Sequence, residues 1–387
     1  MNESVTNENA QIHAVLKSMT YTTGDELLLT VVIPILFIIG VVGNVFVIVV
    51  FIRFKSMRTA PYVYLFTLAV VDLMFLLIVA PVQWIMYLSS PIREDFSGLG
   101  DVTCKFYLVI QDFCVLFSTV IIVCVTIERY MAICHPMSLD RSKVSKRSSI
   151  TCIVASIAIL IYKIPVLSLA TLAEYPVLAN MDENITSQYD DFPDYVQVCL
   201  YCNGFKSPAT CNRFNKSLYF DLILNVIVLP CVSTLYIRIL YVLCSRENIS
   251  DTGGSSAHLK QMKVQSACMI VLVVLVFIIC TIPFRVFSFF YNLYANKHSR
   301  PIVDEATLSL IIYINRTLVF LNSAVNPIIY HIVSSKYRSA FKKGLLFKRA
   351  GRSLTKSKMT RETTLSSKGR QTIRGEEHNR RLMSSIH

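Results

Sequence analysis

Seven apolar runs, each long enough to cross a bilayer, constrain this chain more than any other feature. A helix needs about 20 apolar residues to cross about 30 Å of hydrocarbon. Backbone polar groups in lipid must bond within a helix or a closed barrel, and the alternation typical of barrel strands is absent. The sequence therefore predicts an all-α membrane protein, a seven-transmembrane helix bundle, with spans at Leu27–Phe54, Tyr62–Leu88, Val102–Cys134, Ile150–Leu172, Leu218–Cys244, Val264–Leu293 and Ala306–Ile332.

The basic charge of the chain is concentrated at one end. The 387 residues carry a formal net charge of +13, and residues 334–387 hold 15 Lys and Arg against three Asp and Glu. The rest is close to neutral, which excludes a basic nucleic-acid-binding core and favours a tail that contacts anionic membrane lipids. The short loops after spans 1, 3 and 5 are also basic. We therefore expect a multi-pass plasma-membrane protein with its N-terminus outside and its tail in the cytosol.

The segments outside the spans divide the chain further. Residues 1–26 are polar and are predicted to be extracellular, without a cleavable signal peptide, ahead of a bundle over residues 27–333. Residues 334–347 repeat apolar positions at helical spacing with bases opposite, which predicts a short amphipathic membrane-surface helix. Residues 348–387 are predicted to be a disordered basic cytoplasmic tail. Glycosylation sequons on the outer side begin at Asn2, Asn184 and Asn215.

Few polar side chains are predicted at membrane depth, and each is a functional candidate because its burial in lipid is costly. They are Asn44, Asp72, Gln111, Asp112, Arg285, Arg316, Asn322 and Asn326, with Glu128 and Arg129 at the inner end of span 3. Several belong to short motifs that follow one another along the chain. The motifs are Gly43-Asn44, Leu68-Ala69-Val70-Val71-Asp72, Glu128-Arg129-Tyr130, Pro230, Cys280-x-x-Pro283 and Asn326-Pro327-Ile328-Ile329-Tyr330.

This ordered set of motifs resembles the rhodopsin-like (class A) G-protein-coupled receptors, from about Leu27 to Phe347. The resemblance implies a receptor, not an enzyme, that activates a heterotrimeric G protein by a conformational shift of the bundle. It implies no cofactor except an allosteric sodium ion, with a hydrogen-bond network lacking an ion as the alternative. The implied sodium site is Asp72, Ser118, Asn322, Ser323 and Asn326. The implied G-protein coupling residues are Glu128, Arg129, Tyr130, Pro136, Met137 and Tyr330.

The chain departs from the family pattern where that pattern has two Trp, one Tyr and one acidic residue. These positions are Ala155, Thr281, Arg238 and Lys263. The acidic residue pairs with the conserved Arg of span 3 in many members, and Lys263 cannot do so. We therefore expect the lock on Arg129 to be weak, or confined to Glu128, and basal activity to be appreciable.

Single residues exclude some ligand classes of the family. The position of the retinal-binding Lys is Phe320, and the position of the aminergic Asp is Gln111, with Asp112 turned about 100° away on the helix. Peptides remain, with small lipids and nucleotides as competitors, and the long acidic second outer loop suits a peptide. Arg285 and Arg316, in the outer halves of spans 6 and 7, would supply donors to carbonyls and carboxylates.

The Arg pair resembles, in part, that of the thyrotropin-releasing-hormone receptors. The resemblance implies an extracellular neuropeptide and a Gq-class G protein. We predict ligand contacts at Gln111, Asp112, Phe284, Arg285 and Arg316. The resemblance is partial, because the span 3 Tyr and Asn of those receptors are here Asp112 and Leu116. Three alternatives stay open: Arg285 or Arg316 pairs with Asp112; the ligand is a small lipid or carboxylate; or the chain is a decoy receptor without G-protein signalling.

Two further features concern the outer loop and the tail. Cys104 heads span 3, and the second outer loop contains three cysteines. We expect Cys104 to form a disulfide with one of them, with Cys199 preferred and Cys202 and Cys211 open. In the tail, a dense hydroxyl cluster predicts phosphorylation by receptor kinases and recruitment of arrestin. The cluster is Thr360, Thr363, Thr364, Ser366 and Ser367.

Overall fold

The computed structural model describes residues 16–135, 144–179, 186, 187, 189, 191–201, 208–245, 254–295 and 305–343. Within these ranges, the side chains of 165, 166, 200, 201, 208–218, 222, 224, 225, 229, 243, 244, 254–260, 262, 263, 284, 285, 288–295, 305, 306 and 309 are not described. The predictions for Asn2, Pro136, Met137, Asn184 and the tail lie outside the described residues. The side chains of Cys202, Cys211, Asn215, Lys263, Phe284 and Arg285 lie outside them as well.

Long helices in the described residues follow one another along the chain, as the apolar runs predict. They are α1 (Thr23–Arg53), α2 (Ala60–Ser89), α3 (Gly100–Cys134), α4 (Val144–Leu169), α5 (Pro208–Ser245), α6 (Gly254–Ala295) and α7 (Glu305–Val333). By length and composition, α1–α6 are able to cross a membrane, and α7 qualifies when it is counted with the short helix α8, Ser335–Lys343. The predicted fold class, a seven-helix membrane protein, is confirmed.

The start of α1 is fixed by a capping box. The Thr22 hydroxyl accepts a hydrogen bond from the Asp25 backbone N at 3.2 Å, and the Thr22 backbone N donates to Asp25 Oδ2 at 3.0 Å. These two bonds satisfy backbone donors that a helix N-terminus otherwise leaves free. A π-helical turn over Leu28–Val32 then interrupts α1 before Ile33–Arg53 continues as a regular helix.

The helices pack as a closed bundle. Helix α1 contacts α2 and α7, α7 contacts α6, and α6 contacts α5. Helix α3 contacts α2, α4 and α5. Two glycines bring α1 close to α7. A Cβ at Gly43 would lie 2.8 Å from Pro327 Cβ, and one at Gly40 would lie 3.3 Å from Ala324 Cα. Small residues at helix contacts permit this approach of two backbones.

Two strands in the second outer loop form an element that the sequence does not predict. Strand β1 (Ala170–Pro176) pairs antiparallel with β2 (Tyr195–Tyr201), and Leu172 lies opposite Cys199. The prediction that span 4 reaches Leu172 is therefore wrong, because α4 ends at Leu169. Strand pairing with a segment about 25 residues further along overrides the local apolar pattern.

Three other boundaries also differ from the sequence prediction. Helices α5 and α6 begin about ten residues before the predicted spans, because an apolar run marks only the part of a helix that lies in lipid. The predicted amphipathic helix over 334–347 is helical over Ser335–Lys343. Residues 344–347 lie outside the description.

Candidate functional site

A pocket of about 340 Å³ opens at the predicted outer end of the bundle. Its walls come from the segment before α1, the loop between α2 and α3, strand β2 and α7. The lining is apolar apart from four charged side chains and one Ser. The lining residues are Ser18, Met19, Asp25, Ile92, Arg93, Glu94, Val196, Val198, Leu308, Ile312 and Arg316. A pocket with apolar walls and a few polar groups suits a ligand that needs both burial and orientation.

The residues before α1 are packed into this outer wall. Leu16 is buried with Ile92, Val177, Leu178 and Val196 in one apolar cluster. Thr20 forms a β-bridge with Ile92, and Asp95 forms another with Val198. The first outer loop is thus held between the N-terminal segment and the hairpin. These contacts give the pocket a fixed wall on its outer side.

A disulfide joins the head of α3 to the hairpin. Cys104 pairs with Cys199, and their Cα atoms are 5.6 Å apart. The preferred pairing of the sequence analysis is therefore confirmed. Cys104 is fully buried in a second apolar cluster with Phe96 and Met86. The bond fixes β2, and with it the wall at Val196 and Val198, to the helix bundle.

Two ion pairs lie in the pocket. The Arg316 guanidinium forms a short ion pair with the Glu94 carboxylate. Arg93 Nη1 lies 3.6 Å from Asp25 Oδ2, and Arg93 also donates to the Ser18 carbonyl. The alternative in which Arg316 pairs with Asp112 is therefore wrong. Arg316 is directed toward the first outer loop, whereas Asp112 is directed toward α4.

Asp112 belongs instead to an ion network that connects α3, α4 and α5. Lys163 Nζ lies 2.6 Å from Asp221 Oδ2 and 3.4 Å from Asp112 Oδ2. The Tyr162 hydroxyl donates to Asp221 Oδ1 at 3.0 Å. The Lys163 and Asp221 side chains are 5% and 8% exposed, and that of Asp112 is 23% exposed. Gln111, beside Asp112, is half-buried.

The sequence analysis missed Lys163 and Asp221, although the signal was present. Both are ionisable residues inside predicted spans 4 and 5, and such residues are functional candidates by default. Which side chains they pair with depends on how each helix is rotated about its axis. An apolar run does not specify that rotation.

The polar residues of mid-bundle meet around a small cavity. A space of about 20 Å³ is lined by Asp72, Ser118, Asn322 and Ser323 together with Thr281. Asn326 Nδ2 donates to Asp72 Oδ2 at 2.9 Å, and Ser323 adds a side-chain hydrogen bond to the same carboxyl. All four sodium-site partners predicted for Asp72 are thus buried close to it.

The oxygen atoms of this cavity fit a small hard cation. The cavity can hold about one water-sized body. Its donors are one carboxylate, hydroxyls and amides, which are the oxygen ligands that hard cations prefer. The buried Asn326 Oδ1 has no hydrogen-bond partner among the described residues. A neighbouring amide, Asn44, is tied to backbone through its Nδ2, which donates to Gly40 O and Ser323 O at 2.9 Å each.

Thr281, which stands where the family pattern has Trp, also lies at this cavity. It is buried, and its hydroxyl donates to the Phe277 carbonyl at 2.6 Å. The hydroxyl is therefore satisfied within α6 and leaves the polar cavity to the residues of α2, α3 and α7. The smaller side chain at this position contributes to the cavity wall.

At the predicted inner end of α3, Arg129 contacts a carboxylate and a hydroxyl. Its Nε donates to Glu128 Oε2 at 2.9 Å, and its Nη1 donates to Ser266 Oγ of α6 at 3.5 Å. Arg129 is thus linked to α6 by a neutral group. The Tyr130 hydroxyl lies 3.4 Å from His135 Nε2. Tyr330 is buried.

A tyrosine of α5 reaches α3 from a position different from the family's. The Thr126 hydroxyl lies 3.2 Å from the hydroxyl of Tyr236, which is buried. Arg238, at the position where the family has Tyr, is exposed. The inward-facing phenol of α5 is therefore supplied two residues earlier in the sequence.

The comparisons with known proteins agree on one family. The model described as "7 transmembrane receptor (rhodopsin family)" matches residues 43–330. Neuromedin-U receptor 2 of Homo sapiens is 28% identical over 322 residues, which cover 80% of this chain and 69% of that receptor. Growth hormone secretagogue receptor type 1 of Homo sapiens is 25% identical over 329 residues, covering 82% and 83%. A QRFP-like peptide receptor of Branchiostoma floridae is 27% identical over 311 residues, covering 79% and 74%.

Proposed function

The chain belongs to the seven-transmembrane receptor (rhodopsin) family, and from this premise we propose that it is a receptor for an extracellular neuropeptide that activates a heterotrimeric G protein. Similar proteins are named as receptors for neuromedin U and as QRFP-like peptide receptors. The observation that carries the proposal is the pocket of about 340 Å³ lined by Arg316, with the disulfide-bound hairpin and the N-terminal segment as its walls.

The proposal places the peptide in this outer pocket and next to α3. Apolar lining residues would bury peptide side chains, and Arg316 would donate to peptide carbonyls. Gln111 and Asp112 are partly exposed on α3, so a peptide that extends toward α5 would contact them. Phe284 and Arg285 remain predicted contacts on α6. An N-terminus outside, with glycosylation at Asn2, Asn184 and Asn215, belongs to the same proposal.

On the inner side, we propose that the peptide shifts the bundle toward a state in which Arg129 leaves Glu128 and contacts the G protein. Ligands shift such two-state equilibria only by binding one state more tightly than the other. Glu128, Tyr130, Pro136, Met137 and Tyr330 are the further coupling residues. A Gq-class partner rests on the resemblance of Arg285 and Arg316 to thyrotropin-releasing-hormone receptors. Kinase action and arrestin binding at the tail rest on the hydroxyl cluster there.

We also propose sodium as an allosteric ion. Asp72, Ser118, Asn322, Ser323 and Asn326 would hold it, as the donors around the small cavity fit a hard cation. When bound, sodium would supply the positive charge that the buried Asp72 carboxylate needs. The residues themselves keep α2 and α7 in contact through the Asn326–Asp72 hydrogen bond.

A calcium-release assay in cells that express the full chain tests the receptor function. The first probes are neuromedin U and QRFP-type peptides, followed by pools of synthetic neuropeptides. We expect a peptide to act at nanomolar concentration and Arg316→Gln to weaken it by about tenfold or more. Lys105→Gln is the matched control, because Lys105 pairs with Asp101 on the α3 surface outside the pocket. A peptide that binds without any G-protein response would indicate a decoy receptor, and no binding by any peptide would contradict the proposal.

A further inference from the structure

The two edges of the β1–β2 hairpin have different surroundings. The edge of β2 is bonded to the first outer loop, where Phe96 N donates to Gln197 O at 2.7 Å and Gln197 N donates to Ser97 Oγ at 3.1 Å. The edge of β1 has no such neighbour among the described residues. An unpaired strand edge is a template for pairing with another strand.

Backbone groups of Leu172 and Glu174 point outward from this free edge. Gln197 directs its N–H and C=O away from β1, and Glu174 lies directly opposite it. In an antiparallel ladder, two opposed residues either exchange both hydrogen bonds or both point outward. Glu174 therefore points outward, and so does Leu172, two residues before it. Within the described part of the chain, no backbone carbonyl accepts from the N–H of either residue.

The hairpin lies across the outer end of the bundle, between two apolar clusters. On one face of the sheet, Leu172 packs with Val82 of α2 and Cys104 of α3. On the other face, Val196 packs with Leu16 of the N-terminal segment. One face is thus directed at the helices and the other away from them. The free edge of β1 therefore points sideways, along the plane of the membrane.

We propose that β1 pairs antiparallel with β1 of a second copy of this chain in the same membrane. A two-fold axis at Ala173 places Leu172 opposite Glu174 of the second copy. These two residues exchange both backbone hydrogen bonds, and the symmetry repeats the exchange once. Thr171 then lies opposite Tyr175 of the second copy, and a β-branched residue beside an aromatic one is a favourable cross-strand pair.

The symmetry of this pairing suits two copies in one bilayer. Both copies have the same orientation across the membrane, so a closed pair needs a two-fold axis along the membrane normal. Antiparallel pairing at an edge has its two-fold axis perpendicular to the sheet. Because the sheet lies across the end of the bundle, these two directions agree. The interface is small, so we expect a transient pair that depends on surface density.

The edge suits a second copy better than a peptide ligand. Among the described residues, Val196 and Val198 of β2 line the outer pocket, and none of β1 does. The proposed register also uses both outward-facing residues of β1 without a direct clash of charge. Of the neighbouring registers, one opposes two Glu174 carboxylates, and the other needs the backbone of Ala170, which is fully buried at the end of α4.

Energy transfer between two labelled copies tests the pairing. Full chains that carry a donor or an acceptor tag at the N-terminus are co-expressed, and transfer is measured against surface density. Glu174→Pro removes an N–H that points outward, so the hairpin of each copy keeps its own hydrogen bonds. We expect the density that gives half-maximal transfer to rise by about tenfold or more. Glu174→Ala is the matched control, because it keeps the N–H and should not weaken transfer.

A cross-link between copies tests the register. Thr171→Cys on one copy and Tyr175→Cys on the other would bring two Cα atoms to about 4.5 Å, which a disulfide can span. Co-expression of the two variants with different tags, followed by mild oxidation with copper phenanthroline, should give a covalent pair. Thr171→Cys expressed alone is the control. Its two Cα atoms would lie about 14 Å apart, too far for a disulfide.

The outcomes decide the inference without reference to the proposed function, because neither association measurement needs a ligand. Equal transfer in Glu174→Pro and Glu174→Ala overturns it. So does the lack of a cross-link between Thr171→Cys and Tyr175→Cys at normal surface levels of both. If the copies do not associate but Glu174→Pro weakens a peptide agonist more than Glu174→Ala does, the edge pairs with the ligand, and the inference is overturned as well.

Discussion

Lys163 of α4 and Asp221 of α5 form a buried ion pair, with 2.6 Å between Nζ and Oδ2. Tyr162 adds a hydrogen bond to the second oxygen of Asp221, and the Lys163 ammonium lies 5.3 Å from the centre of the Tyr162 ring. Asp112 of α3 is the third member, at 3.4 Å from Lys163. One cation therefore serves two carboxylates, of which that of Asp221 is buried and that of Asp112 is partly exposed. Removing that cation leaves two uncompensated charges.

We predict that Lys163→Met destabilises the receptor strongly. Breaking a buried ion pair by removing one partner costs about 3–5 kcal/mol, which corresponds to a fall of roughly 4–6 °C in melting temperature for a chain of this size. Thermal unfolding of the purified receptor measures the effect. Asp112→Asn leaves Lys163 matched to Asp221 and should change the melting temperature little. A Lys163→Met receptor that melts like wild type would show that the network does not hold α4 to α5.

The contact between Gly43 and Pro327 gives a second prediction. A Cβ at Gly43 would lie 2.8 Å from Pro327 Cβ and 2.9 Å from its Cγ, and the ring cannot rotate away. Gly43→Ala should therefore push α1 from α7 and cost about 1–3 kcal/mol. Thermal unfolding and surface expression should both fall. Gly98→Ala is the control, since its Cβ would meet nothing closer than Ser89 at 3.9 Å. Equal behaviour of the two variants would contradict the close packing of α1 on α7.

The fold could be predicted well from the sequence, because a segment that crosses the lipid bilayer must be apolar and must form its backbone hydrogen bonds within a helix. The seven helices follow from the apolar runs, and the grouping of Asp72 with Asn326 is what the resemblance to rhodopsin-like receptors implies. The partner of Cys104 could be narrowed to three cysteines, and strand pairing then selects Cys199, which lies opposite Leu172.

The outer site could not be predicted to the same extent. The Glu94–Arg316 pair depends on a positive φ in a turn fixed by the N-terminal segment and β2. No periodic pattern encodes such a turn. The assignment of Asp112 to Lys163 depends on the rotation of three helices about their axes. Hydropathy identifies buried helices, but it does not identify which side chains face each other.

Basal activity is the subject of the third prediction. Within the described side chains, Arg129 is held by Glu128 and by the neutral Ser266. Because Arg129 and Glu128 are 13% and 12% exposed, their pair is shielded enough to contribute about 1 kcal/mol. Glu128→Gln should then raise ligand-independent G-protein activation about fivefold.

Ser266→Ala is the matched variant for that experiment. It removes one long hydrogen bond of 3.5 Å to Arg129 and should raise basal activation less than Glu128→Gln does. Wild type should itself signal above cells without the receptor. If expression of wild type adds no signal and Glu128→Gln adds none either, Arg129 is restrained by other contacts.

The fourth prediction concerns sodium. If the cavity beside Asp72 binds the ion, the purified receptor should melt at a higher temperature in sodium chloride than in choline chloride of equal ionic strength. A ligand present at about five times its dissociation constant stabilises by about 1 kcal/mol. Asp72→Asn removes the carboxylate of the donor set and should abolish the difference between the two salts. Asp101→Asn, an exposed carboxylate paired with Lys105, should keep it. Because the readout is melting temperature, the result does not depend on a ligand or on signalling. Equal melting of wild type in both salts would leave the Asp72–Asn326 contact as a hydrogen-bond network without an ion.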